Sequence, residues 1–196
     1  MMHISGNRIV AMASLAALLL LPGARPRAEE PKISYVVGKW AYSRLSKAHA
    51  LIGKSKYSAA LKLMDSMQRK MRLNPHERAL MWQTYGYIYS SKENFSKAIQ
   101  SFEKCLALNA LPKGAALDTQ YNLGQLYMAN RQFKQAVRTL IDWIGKVDKP
   151  SPDAKFLLSM ALTQTKEWNK ALDFARQAVA SVKNPRETWL QLLLSI

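Results

Sequence analysis

A single cysteine, Cys105, stands in 196 residues. It excludes an intramolecular disulfide, so the fold must be held by packing alone. Glycine and proline are scarce at eight each, and the prolines lie mostly at intervals rather than in tracts. That punctuation suits long helices joined by short turns and argues against a sandwich of many strands. Acidic residues are few: 13 Asp and Glu stand against 29 Lys and Arg, a net charge of +16. The balance favours anionic partners or surfaces and leaves the fold open. An apolar content of 48% with scattered charge excludes a disordered chain. The length allows one sizeable core or a short array.

Long hydrophobic runs are also missing, with one exception. Ile9 to Leu21 is a 13-residue stretch without a charge, preceded by Arg8 and ended by Pro22 and Gly23. It is too short for a comfortable membrane span and has the length of a secretory signal core. The expectation is a signal peptide at 1–28, cleaved after Ala28, with Ala24 as the alternative site. The product would be periplasmic after Sec export in a Gram-negative bacterium; an uncleaved inner-membrane anchor is the competing outcome. No cysteine lies near the cleavage region, which excludes a lipoprotein anchor. Loss of 1–28 removes three Arg and no acid, leaving 26 basic against 13 acidic residues, or +13.

What the chain does contain is a skeleton written more than once. "WQTYGYIYSSKENFSKAIQSF" from Trp82 returns as "QYNLGQLYMANRQFKQAVRTL" from Gln120, 38 residues on. Aligning an aromatic with the alanine three residues later gives four units: Tyr57 with Ala60, Phe95 with Ala98, Phe133 with Ala136, and Trp168 with Ala171. In the first helix of the second unit Trp82, Tyr85, Gly86 and Tyr89 fall at i, i+3, i+4 and i+7, which is one face. Gly86 and Gly124 are small where a second helix must approach, and the four alanines answer from that helix. The aromatics fill the gap at the turn. Pro112, Pro150 and Pro185, with Pro75 after the first unit, are expected to end the second helices.

These spacings resemble the tetratricopeptide repeat, with its W-x2-L-G-x2-Y, A, F, A and P pattern over 34 residues. The two central units match best, through Trp82, Tyr85, Gly86, Tyr89, Phe95, Ala98 and Phe102, and through Leu123, Gly124, Tyr127, Phe133, Ala136 and Leu140. Ala48 and Leu51 stand at the Gly and Tyr places of the first unit, Ser159 and Leu162 at those of the fourth. Residues beyond 34 fall in the connections "RLNPHE", "NALPKGAA" and "DKPSPD". The fold expected is all-α: a right-handed superhelical array of antiparallel helix pairs, an α-solenoid of about four repeats plus an extra C-terminal helix. A lead-in at 29–40 would precede an array at 41–185. Its repeats fall near 41–74, 79–112, 117–150 and 152–185, with a truncated fifth first-helix at 186–196.

Three longer segments are similar to a narrower group, exported bacterial tetratricopeptide proteins described as components of TonB systems. They are "LNPHERALMWQTYGYIYSSKENFSKAIQSFEKCLAL", "LPKGAALDTQYNLGQLYMANRQFKQAVRTLIDWI" and "PRETWLQLLL". The resemblance spans roughly Ile33 to Leu194. It implies a periplasmic helper of TonB–ExbB–ExbD energy transduction to outer-membrane receptors.

The residues offer little chemistry. After residue 28 only His49 and His76 remain, and neither pairs with Cys105 at a metal-ligand spacing. Both read as ordinary surface or groove histidines, and Cys105 as a buried inert thiol. No Gly-rich phosphate loop or Gly-x-Ser-x-Gly occurs. No catalytic, cofactor or metal residues are therefore expected. The repeat's groove-facing positions instead imply a partner-binding surface of Tyr42, His49, Gln83, Tyr87, Tyr121, Gln125, Met128, Phe156, Met160 and Gln164. Aromatic, Met and Gln side chains together suit an extended or helical peptide. A chaperone-type carboxylate clamp is disfavoured, because its cationic and amide places hold Leu45, His49, Thr84, Asp118 and Asn122. Export removes nucleic acid as a partner. The alternative is a basic peripheral protein that meets an anionic membrane surface or acidic partner through its convex face. The apolar terminal stretch "TWLQLLLSI" raises self-association.

Overall fold

The structure, a computed structural model, describes residues 34–70 and 72–196. The signal segment expected at 1–28 and the start of the lead-in lie outside these residues. The described part is all-helical: α1 (Lys39–Gly53), α2 (Tyr57–Gln68), α3 (Pro75–Ser91), α4 (Phe95–Ala107), α5 (Lys113–Ala129), α6 (Phe133–Ile144), α7 (Pro152–Gln164), α8 (Trp168–Ala180) and α9 (Glu187–Ser195). Each helix packs on the next in sequence, and α1 also reaches α3. The result is a solenoid of four antiparallel hairpins, α1/α2 to α7/α8, followed by α9.

The turns within the hairpins share one construction. Tyr57, Phe95, Phe133 and Trp168 are each the first residue of a second helix. Two residues earlier, Ser55, Glu93, Arg131 and Lys166 adopt positive φ. The next amide then reaches back five residues: Lys56 to Leu51 at 2.8 Å, Asn94 to Tyr89 at 2.9 Å, Gln132 to Tyr127 at 2.8 Å and Glu167 to Leu162 at 2.9 Å. This left-handed closure satisfies the last carbonyls of the first helix.

The core is built from small residues facing large ones. Ala48, Gly86, Gly124 and Ser159 occupy one position of the four first helices, and all are buried. A Cβ on Gly86 would stand 2.4 Å from the Phe102 ring, and one on Gly124 would stand 2.7 Å from Leu140 Cδ2. Where the small residue grows, its counterpart seven places after the turn aromatic changes: Met64 in the first hairpin and Ala175 in the fourth, both fully buried. Ser159 donates its hydroxyl to the Ala171 carbonyl at 2.7 Å, so its polarity is satisfied inside the core. Ala60, Ala98, Ala136 and Ala171 are fully buried, as the repeat requires. The fourth turn aromatic departs from its expected gap-filling place: Trp168 is 47% exposed.

The prolines act differently from expectation. α4, α6 and α8 end at Ala107, Ile144 and Ala180, five or six residues before Pro112, Pro150 and Pro185. Prolines instead open the following helices: Pro75 and Pro152 sit in the first turns of α3 and α7, and Pro112 is the N-cap of α5. A helix start lacks i−4 acceptors for its first amides, so a residue without an N–H loses nothing there. Asn74 and Glu77 close a capping box at the head of α3. This carries α3 four residues ahead of the expected unit start at 79.

Candidate functional site

The first helices α1, α3, α5 and α7 present one face of the array, and side chains bridge them. His49 Nε2 lies 3.3 Å from the Thr84 hydroxyl, joining α1 to α3. Gln83 donates to the Thr119 hydroxyl at 2.7 Å, joining α3 to α5. Both threonines bond back to carbonyls of their own helices, Thr84 to Leu80 and Thr119 to Ala115. The polar ends of two expected partner-binding residues are thus engaged within the array. Packing against α3 makes charging the His49 ring costlier and lowers its pKa, although much of the residue remains exposed.

Tyr87 and Gln125 come together. With Ser90, Phe102, Asn122, Leu126 and Ala129 they line a depression of about 230 Å³ between α3 and α5. Phe102 supports the Tyr87 ring edge-on at a centroid distance of 5.3 Å. Burial pushes the Tyr87 hydroxyl pKa up, and the Asp118 carboxylate adds to this against a smaller opposing effect of the Asn122 amide. Tyr121, one unit further, packs on Trp143 at 4.8 Å. Its pKa is raised in the same way, by burial first and by Asp153, with the Gln125 amide opposing. Both tyrosines therefore stay protonated at neutral pH and offer hydroxyl donors above apolar rings. Hydroxyls and carboxamides beside the half-buried tyrosine rings can hydrogen-bond a peptide backbone while apolar side chains meet the tyrosines.

The other expected residues are placed variously. Tyr42 is 66% exposed on α1. Met128 and Met160 are half-buried on α5 and α7. Phe156 stacks on Trp189 of α9 at 5.0 Å, so one of its faces is occupied. Gln164 lines a different cleft, on the edge formed by the hairpin turns with Arg131, Phe133 and Lys166. Ser90 and Ala129 belong to the depression and were not anticipated as groove residues; Asn122, at an inner place of the disfavoured clamp, joins them there. Asn122 and Ala129 continue the Asp118–Gln125 face at helical spacing, which is the sequence signal that marks them.

His76 corrects the expectation of a surface or groove histidine. It is buried, with Nδ1 2.7 Å from the Ala110 carbonyl and Tyr35 edge-on to the ring at 5.3 Å. Cys105 is fully buried, and burial pushes its thiol up to about 12. Such a thiol is inert at neutral pH. Among the described residues no group of His, Cys, Asp and Glu could hold a metal ion, and no helix is long and apolar enough to cross a membrane.

Residues 79–110 match the tetratricopeptide repeat family. No curated protein matches the chain. Among solved structures, MamA from Desulfovibrio magneticus superposes with a TM-score of 0.65 at 18% identity, covering 81% of this chain and 84% of that one. A kinesin light chain with nearly identical tetratricopeptide-like repeats, from Podosopora anserina, gives 0.62 at 19% identity, covering 81% and 87%. YrrB, described as a tetratricopeptide protein with an unusual peptide-binding site, gives 0.62 at 20% identity, covering 78% and 82%. The fold is that of a tetratricopeptide array.

Proposed function

We propose that this chain is a periplasmic scaffold that holds a segment of an envelope protein on the concave face of its array, as a helper of TonB-dependent outer-membrane transport. The observation that carries the binding role is the depression between α3 and α5, where Asn122 and Gln125 stand beside the half-buried Tyr87, whose ring is braced on the buried Phe102. Its groups suit hydrogen bonding and stacking, and YrrB, similar in fold, is described by its peptide-binding site. The periplasmic setting rests on the charge-free stretch Ile9–Leu21, and the TonB setting on the segments around "LNPHERA" and "ETWLQLL". Tyr87→Ala combined with Gln125→Ala removes a ring and an amide from the depression without touching the buried spine of either hairpin. Pull-down from an envelope extract with residues 29–196 should recover a discrete envelope protein. The double variant should retain it roughly tenfold less well. Recovery of no envelope protein would remove the proposed setting, and undiminished capture by a folded double variant would move the site off the depression.

A further inference from the structure

The connections that stretch the repeat to 38 residues also shape a second cleft. It has a volume of about 590 Å³ and is lined from α4, α5 and α6 and from the connections after α4 and α6. Leu106, Leu117 and Leu123 supply apolar lining, while Lys113, Arg138 and Lys146 are its cations. The cleft and the depression use different sides of α5. At 100° per residue, Ala116, Leu117, Gln120 and Leu123 are centred roughly 180° from Asp118, Asn122, Gln125 and Ala129. A ligand in one leaves the other open.

Charge decides what suits this cleft. Its one carboxylate, Asp142, is already held by Lys146 and by the Gln120 amide at 2.6 Å. Lys113 and Arg138 are exposed and make no ion pair among the described residues. The cleft therefore presents an uncompensated ammonium and guanidinium beside leucine side chains. An apolar side chain flanked by Asp or Glu meets both requirements, since a guanidinium fork matches a carboxylate and the leucines exclude water from the anchor. We propose that this cleft is a second docking site, which takes an acidic peptide segment of a protein partner with a Leu-like anchor between α4, α5 and α6.

Fluorescence anisotropy on residues 29–196 tests it with a labelled ten-residue peptide of alternating Glu and Leu. Two comparison peptides replace Leu by Ser or Glu by Lys. The Glu/Leu peptide should bind, and binding should weaken as salt rises. Lys113→Glu with Arg138→Glu should reduce affinity roughly tenfold or more, because like charges would then face each other. Lys47→Glu with Lys62→Glu, the same charge change on the first hairpin, should have little effect. So should Tyr87→Ala with Gln125→Ala, which separates this site from the proposed groove. Absence of binding up to about 1 mM, equal binding of the Glu/Ser peptide, or equal loss in the first-hairpin variant would overturn the proposal. Displacement of the peptide by phosphatidylglycerol vesicles at physiological salt would assign the surface to a membrane and overturn it as well.

Discussion

Gly86 shows how one atom fixes the distance between two helices. Its missing Cβ is replaced by the Phe102 ring, which is itself enclosed on every side. Gly86→Ala forces that ring or the helix to move, and overpacking of this kind costs about 1–3 kcal/mol. Gly124→Ala should cost less, because the Leu140 side chain has rotamers to yield that a ring lacks. Urea unfolding of the two variants gives the order directly, and a neutral Gly86→Ala would contradict the close approach. His49 supplies a pH dependence. Its folded pKa lies below the ordinary 6.5 of the unfolded chain, so the unfolded state takes up the proton first. Stability from this group is complete above pH 6.5 and declines as pH falls through that value toward the folded pKa. Melting at pH 7.5 and 5.5 should show a loss that is smaller in His49→Gln; an identical loss in that variant would assign the effect elsewhere.

At the scale of elements, the segment "LNPHE" shows why a repeat consensus does not account for every residue that matters. Asn74 caps α3 and its amide also holds the Val36 carbonyl at 2.9 Å. Glu77 accepts from the amides of Asn74 at 3.0 Å and Gly38 at 2.9 Å, so a buried carboxylate fastens the lead-in to the array. His76, between them, holds the α4–α5 connection through Ala110. One turn of helix thus joins three parts of the chain. Asn74→Ala should cost about 0.5–2 kcal/mol as a lost cap. It should also speed hydrogen exchange at Gly38 more than at buried amides of α5. Unchanged exchange at Gly38 would mean that the lead-in is held by other contacts. Neither the lead-in contact nor the burial of His76 is legible in the sequence, because the partners lie 34 to 39 residues away and bond through backbone atoms.

For the molecule as a whole, α9 leaves an apolar surface. Trp189 is buried against Phe156, whereas Leu190 is 40% and Leu194 87% exposed. Arg186 at the start of α9 pairs with Asp153 of α7 at 2.8 Å on the surface and leaves the outer side of the helix uncovered. Burying a fully exposed Leu contributes roughly 1.5–3 kcal/mol, so covering Leu194, with a smaller share from Leu190, favours association through this face. Light scattering on residues 29–196 at micromolar concentrations should show a mass that rises with concentration. Leu190→Lys with Leu194→Lys should hold it at the monomer value. A parent protein that is monomeric throughout this range would remove self-association.

The spacing of aromatics, Gly and Ala by itself determined the helical hairpins, their number and the residues of close approach. Helical periodicity and side-chain size are local properties, and a repeat states them several times. The aromatics at Tyr57, Phe95, Phe133 and Trp168 marked the turns for the same reason, and the structure makes each the first residue of a second helix. Proline was ambiguous, since it disfavours helix before it and suits a helix start after it; the capping of α3, α5 and α7 decided which. Only the tertiary structure decided that His49 and Gln83 bridge neighbouring helices, that Phe156 lies against α9, and that Tyr87 and Gln125 share one depression with Asn122. Groove-facing positions give the direction of a side chain, whereas the partner that satisfies it comes from another unit. The leucine-lined basic cleft was hidden for the same physical reason, because three helices and two connections contribute to it and no single segment carries its pattern.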